Sequence, residues 1–152
     1  MPLLGDLPVL RRPQSQVRYG AWWRRAAAFV LDGLVVGAVG AVAATLPLAF
    51  SGSYPVSLVF LGPVATLAYF TLSHGGRRGQ TLGDRALGIA VRNAADGGRA
   101  TYGQAFGRTF MVMLFSGLWF LGGFADFLWP LWDRKRQAWH DKVAGTIVVR
   151  SD

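Results

Sequence analysis

Three apolar runs separated by arginine-rich polar segments set the plan of this chain. Residues 22–50 read WWRRAAAFVLDGLVVGAVGAVAATLPLAF. Their apolar part, about residues 26–46, is long enough to cross roughly 30 Å of hydrocarbon as a helix. A second run covers 56–72, with Gly62-Pro63 inside it, where a kink is expected. A third covers 110–132. The first two are joined by an uncharged turn, SGSYP, at 51–55. Residues 77–108 form a long polar segment with six arginines and two aspartates. Within it GIAVRN, 88–93, reads as a short strand. Asp96-Gly97 marks a turn, and Thr101 is placed to cap a helix carrying Gln104 and Arg108. The tail, 133–152, contains a second strand-like run at 146–149. Residues 1–19 are a polar lead with Pro2, Pro8 and Pro13, expected to be mobile.

Composition narrows the class. Of 152 residues 52% are hydrophobic and 16% charged, against about 25% charged in an average soluble protein. This predicts an integral membrane protein. The formal charge is +8, nearly all of it from arginine. In a membrane protein such clusters hold loops against an anionic surface, so no nucleic-acid partner is expected. There is no cysteine, which removes disulfides and thiolate chemistry. Arg24-Arg25 before an apolar run resembles a twin-arginine signal. Asp32 interrupts that run, however, and the run is longer than a signal's apolar region, so a retained transmembrane helix is expected.

Charge also fixes orientation. Arg11, Arg12, Arg18, Arg24 and Arg25 precede the first run, and the first loop has no basic residue. The N-terminus and the 77–108 segment are therefore expected on the cytoplasmic side. The tail is equally basic, yet a single crossing by 110–132 would put it outside. That run is too short for two full spans, which need about 40 residues. A broken, re-entrant hairpin turning near Gly122-Gly123 would return the tail and let the two strand-like runs pair. We favour it over a single crossing.

Charge inside the apolar runs is the candidate chemistry. Asp32 lies in the first run, where an ionised carboxylate costs roughly 2.5–3.5 kcal/mol or more. Arg25 stands two turns earlier on the same helix face, about 10 Å away along the axis. The two could bracket a polar groove that carries a cation or proton. Alternatively Asp32 locks the packing, by pairing an arginine such as Arg108 or by capping a broken helix end. Asp126 is the second acid at membrane depth. It could join Asp32 in a two-carboxylate cation site, or lie at the interface beside Trp129 and Trp132. His140-Asp141 is either a proton-handling pair or a cap and turn before the last strand, with Asp141 capping a helical turn at 142–145 or binding a loop arginine.

Other motifs are plainer. Gln80, Thr81 and Gly83 lack the spacing of a phosphate-binding loop and read as the start of a short helix bearing Leu82, Arg85 and Leu87. With His74 and His140 the only histidines, no zinc site is expected. No nucleophile motif is present, so no catalytic residue, enzyme activity or cofactor is expected. Six tryptophans read as membrane anchors. Gly33, Gly37 and Gly40 suit close helix approach.

Three blocks together resemble the RDD family of small bacterial membrane proteins. They are AWWRRAAAFVLDGLVV, GQTLGDRALGIAVRNAADGG and DRKRQAWHDKVAGTIVV, in the family's order over most of 21–150. By that resemblance Arg25 and Asp32 are the family's arginine and first aspartate, and Asp141 its second. Asp84 departs from the pattern, which has a basic residue there. The resemblance implies a cell-membrane location and a transport role, cation/proton exchange included.

The reading is an all-α integral membrane protein of the bacterial cell membrane, residues 20–150 forming its membrane domain. It has two full transmembrane helices, a third broken or re-entrant segment and a small cytoplasmic β-containing cap. Transport by a homo-oligomer is the first functional expectation, and an accessory subunit of a larger membrane complex is the second.

Overall fold

The computed structural model describes residues 17–53, 56–118 and 120–151, without the side chains of 57–59, 118 and 120. The expectations on Pro2, Pro8, Pro13 and Trp119 lie outside the described residues. The long helix α1 is Trp22–Ser51. It continues through Pro47 and ends where Gly52, at φ 66°, closes it with a left-handed cap. It is the helix long and apolar enough to cross a membrane. α2 is Ser57–Gly75 and runs through Pro63. Short helix α3, Leu82–Ala86, leads into strand β1, Ile89–Asn93. α4 is Tyr102–Leu118 and α5 is Phe120–Leu128. A 3-10 turn, Trp129–Leu131, precedes α6, Trp139–Ala144, and strand β2, Thr146–Arg150.

Both expected strands form, and they pair antiparallel from Ile89↔Arg150 to Asn93↔Thr146. A two-stranded ribbon is marginal alone, and here the chain leading into α1 braces it. Tyr19 bridges Val149, and the Gly20 N–H donates to the Val148 carbonyl at 2.9 Å. The end of the polar lead is thus fixed. Ile89, Val91, Ala100 and Val148 make a small core with Ala28 of α1, and Leu87 packs on it. Thr101 caps α4 as expected, its Oγ1 accepting from the Gln104 N–H at 3.1 Å.

The third apolar run folds back on itself. A Cβ on Gly123 would meet the Ser116 Cα at 3.4 Å, so α5 lies against the end of α4. At its far end the Trp22 indole donates to the Phe127 carbonyl at 2.9 Å, joining α5 to the start of α1. The hairpin is present, and its turn does not lie at Gly122-Gly123. Those two glycines continue α5. Helical hydrogen bonds tolerate glycine at about 1 kcal/mol each, and the close approach to Ser116 needs the small residue.

Gly33, Gly37 and Gly40, expected to suit the close approach of another helix, are not packed against by the described residues. A Cβ at any of them would meet nothing within 4 Å. The outer part of α1 instead exposes Leu34, Val39, Val42 and Leu46.

Candidate functional site

Asp141 is where the polar interior converges. It is the third residue of α6, and its carboxylate accepts from the Ala138 N–H at 3.0 Å, capping that helix. The same carboxylate binds the Arg25 guanidinium at 2.5 Å and pairs with Arg108 through its other oxygen. Thr146 Oγ1 lies 3.2 Å from that oxygen. Asp141 has no exposed surface, so its two positive partners are its replacement for water. Arg25 also donates to the Arg136 carbonyl at 2.5 Å, which ties the tail to the first turn of α1. Asp141 thus makes both the cap and the arginine pairing that were expected as alternatives.

Asp32, 2% exposed, pairs with no arginine among the described residues, where one expectation had it pair Arg108. It accepts from Thr81 Oγ1 at 2.6 Å, the Gly83 N–H at 2.9 Å and the Tyr69 hydroxyl at 2.8 Å. The reason is the start of α3, whose first N–H groups have no partners inside the helix. The Leu82 N–H goes to the Tyr69 oxygen at 3.2 Å, the Gly83 N–H to Asp32, and the Asp84 N–H to Thr81 Oγ1 at 3.0 Å. Asp84 returns the bond, accepting from the Thr81 N–H at 3.2 Å, which completes a capping box. Gln80 donates to the Ile89 carbonyl at 2.7 Å and holds this turn to the sheet. The helix start expected at Gln80, Thr81 and Gly83 is real, and its dock is Asp32.

Gly83 must be glycine there. A Cβ would lie 2.2 Å from the Ala28 carbonyl oxygen, a backbone atom that cannot turn aside. Gly83→Ala is expected to lower stability by about 1–3 kcal/mol, the usual cost of overpacking. The denaturation midpoint of the purified protein in detergent checks this. An unchanged midpoint would show that α3 does not dock this closely.

Two imidazole–carboxylate pairs complete the set. His140 Nδ1 lies 2.5 Å from Asp126 Oδ2, and its backbone N–H donates to the other oxygen at 2.9 Å. Asp126 thus has His140 as its direct partner. His74 Nε2 lies 3.0 Å from Asp84 Oδ2. Tyr69, His74 and Asp84 were not among the expected site residues. The sequence signal for Asp84 was its departure from the family pattern, and His74 stood out only as a helix end.

Burial, reinforced by the nearby Arg108 charge, pushes the His140 imidazole down to about 3 from 6.5. Burial alone would raise the Asp84 carboxyl, but the His74 hydrogen bond, the Thr81 N–H and Arg108 hold it below its ordinary value. Between about pH 6.5 and 3 the unfolded chain therefore binds a proton at His140 that the folded chain does not. Stability from this group is full above about 6.5 and falls as pH drops toward 3, by up to ~1.4 kcal/mol per unit. Denaturation midpoints at successively lower pH should show this slope, and His140→Gln should flatten it.

Arg25, Asp32, His74, Asp84, Arg108, Asp126 and His140 all line one cavity of about 400 Å³. Its remaining walls are largely apolar, with Phe29, Phe70, Val112, Phe124 and Phe127. Among the described residues no group of three histidines and carboxylates is arranged to hold a metal ion. The cavity can offer charge, hydrogen bonds and aromatic faces to a ligand of the size such volumes take.

No curated protein and no solved structure matches the chain. The RDD family model matches residues 19–145, the stretch that carries the Arg25–Asp141–Arg108 centre, the Asp32 dock and the apolar helix α1. The chain is thus a membrane protein and belongs to the RDD family.

Proposed function

We propose that this chain is a multi-pass transporter of the bacterial cell membrane, exchanging a cation for protons through the cavity, with no enzymatic role. The observation that carries the reading is charge. Asp32, Asp84 and Asp126 face the cavity and Asp141 stands behind its arginines, against two guanidiniums, Arg25 and Arg108. With both imidazoles neutral, two negative charges lack a countercharge there among the described residues, and buried charge without one is costly. A cation relieves that cost, and so does a proton taken up in the cavity, which makes the two compete.

In this reading α1 and α2 cross the membrane, the α4–α5 hairpin enters and returns, and the sheet with α3 and α6 caps the cytoplasmic side. Supporting it, the paired strands must share one side, and basic residues cluster around them and before α1. A homo-oligomer would enclose the path more fully. A second reading, an accessory subunit, is favoured by the outer part of α1, where a Cβ at Gly33, Gly37 or Gly40 would meet nothing within 4 Å among the described residues.

The test is reconstitution into vesicles containing a pH-sensitive dye, driven by a gradient of a monovalent cation, either inorganic or an organic ammonium. Proton movement is expected, reduced about ten-fold or more by Asp126→Asn. No movement with the unaltered protein, together with co-purification in a defined complex, would sink transport in favour of the accessory role. A reporter fused after residue 152 should be cytoplasmic, and an external one would refute the returning hairpin.

A further inference from the structure

We infer that the ligand of this cavity is a protonated amine carrying an apolar body, rather than a bare metal cation. The inference rests on the cation-passage reading and narrows its substrate class. It starts from which acceptors in the cavity are already taken. Asp32 accepts from three donors, Asp126 from two groups of His140, and Asp84 from His74 and Thr81. A hard cation such as sodium binds several oxygens at once, so it would have to break these bonds.

The acceptors left over are nitrogens. His140 presents Nδ1 to an ionised carboxylate, so that nitrogen carries the proton and Nε2 is a lone pair. By the same rule His74 donates from Nε2, and its Nδ1 is a lone pair. The His74 lone pair is buried and without a hydrogen-bond partner, on a side chain that is 7% exposed, while the His140 Nε2 lies 3.6 Å from Asp141 Oδ1. A lone pair calls for an N–H or O–H donor. The excess negative charge calls for a cation. An ammonium with N–H groups is both.

The walls match the rest of such a molecule. Phe29, Phe70, Phe124 and Phe127 offer faces on which a cation and an apolar body both rest well. Phe29 and Phe124 are about half exposed, at 54% and 52%. They stand on α1 and α5, so these two walls of the cavity also form part of the exposed apolar surface.

The ammonium can come from a free lipophilic amine or from an aminophospholipid headgroup, and one titration separates them. The full-length protein is placed in nanodiscs of phosphatidylcholine alone or with phosphatidylethanolamine, and 2-phenylethylamine is titrated in by calorimetry. Saturable binding is expected in phosphatidylcholine. The N-trimethylated analogue, which lacks N–H donors, should bind about ten-fold more weakly, as the loss of one or two hydrogen bonds implies. 3-Phenylpropionate should not bind. If phosphatidylethanolamine weakens the amine ten-fold or more, the headgroup is a ligand of the site. If it leaves binding unchanged, the site takes free amines. Val112→Phe, which fills the wall, should reduce affinity about ten-fold at an unchanged denaturation midpoint; the ligand series needs no variant. No saturable binding in either nanodisc, or equal binding of the propionate, overturns the inference. Cation-driven proton flux without amine binding would leave the transport reading standing and remove this one. Amine binding without any flux would do the reverse.

Discussion

Replacing Asp141 by asparagine is expected to destabilise the protein by about 3–5 kcal/mol, the cost of removing one partner from a buried ion cluster. The carboxylate has no contact with solvent and holds Arg25 and Arg108 on its two oxygens. Without it two buried guanidiniums repel each other with no countercharge between them. The same change loosens the start of α6 at Ala138. Urea denaturation in detergent, followed by tryptophan fluorescence, measures the loss. The control is the whole cluster: Arg25→Met, Arg108→Met and Asp141→Leu together should recover most of it, leaving about 1 kcal/mol for the lost cap. A single Asp141→Asn change of less than about 1 kcal/mol would mean that Asp141 is not the centre of the fold.

Asp32→Leu is expected to cost about 3 kcal/mol or more. The Gly83 N–H and the Thr81 hydroxyl are buried and would lose their acceptor, at about 1–3 kcal/mol each. Tyr69 is half-buried and can turn toward water. Asp32→Asn keeps an oxygen for Gly83 and Tyr69 and disturbs mainly Thr81, so about 1 kcal/mol is expected. The pair of variants separates two roles for this carboxylate. Severe loss with leucine and mild loss with asparagine, at near-normal flux, marks a lock that docks α3 on α1. Abolished flux in the asparagine variant, at normal stability, would make Asp32 part of the ion path instead.

Much of the fold was legible because it rests on local chemistry. The apolar run of α1 is its own evidence, since length and hydropathy suffice. Thr101 with Gln104, and Thr81 at the start of α3, announce helix starts within four residues of sequence. The two strand-like runs, with the basic tail, called for a third segment that folds back. The position of the turn was not legible, because glycines mark both turns and close helix contacts, and Gly123 serves the second purpose.

The charged residues themselves were equally plain, since Arg25, Asp32, Arg108, Asp126, His140 and Asp141 all stand out in or beside apolar sequence. Their pairing was not. Arg25 and Asp141 are joined across 116 residues, and Asp32 and Gly83 across 51, so no periodicity relates them. The sequence by itself determined that these charges must be buried and compensated, because hydrocarbon does not solvate them. Only the tertiary structure decided the partners. The folded-back α4–α5 hairpin and the β1–β2 ribbon bring α3 and α6 against α1. There two helix starts and two arginines compete for three carboxylates, and geometry gives Asp32 to α3, Asp141 to the arginines and α6, and Asp126 to His140.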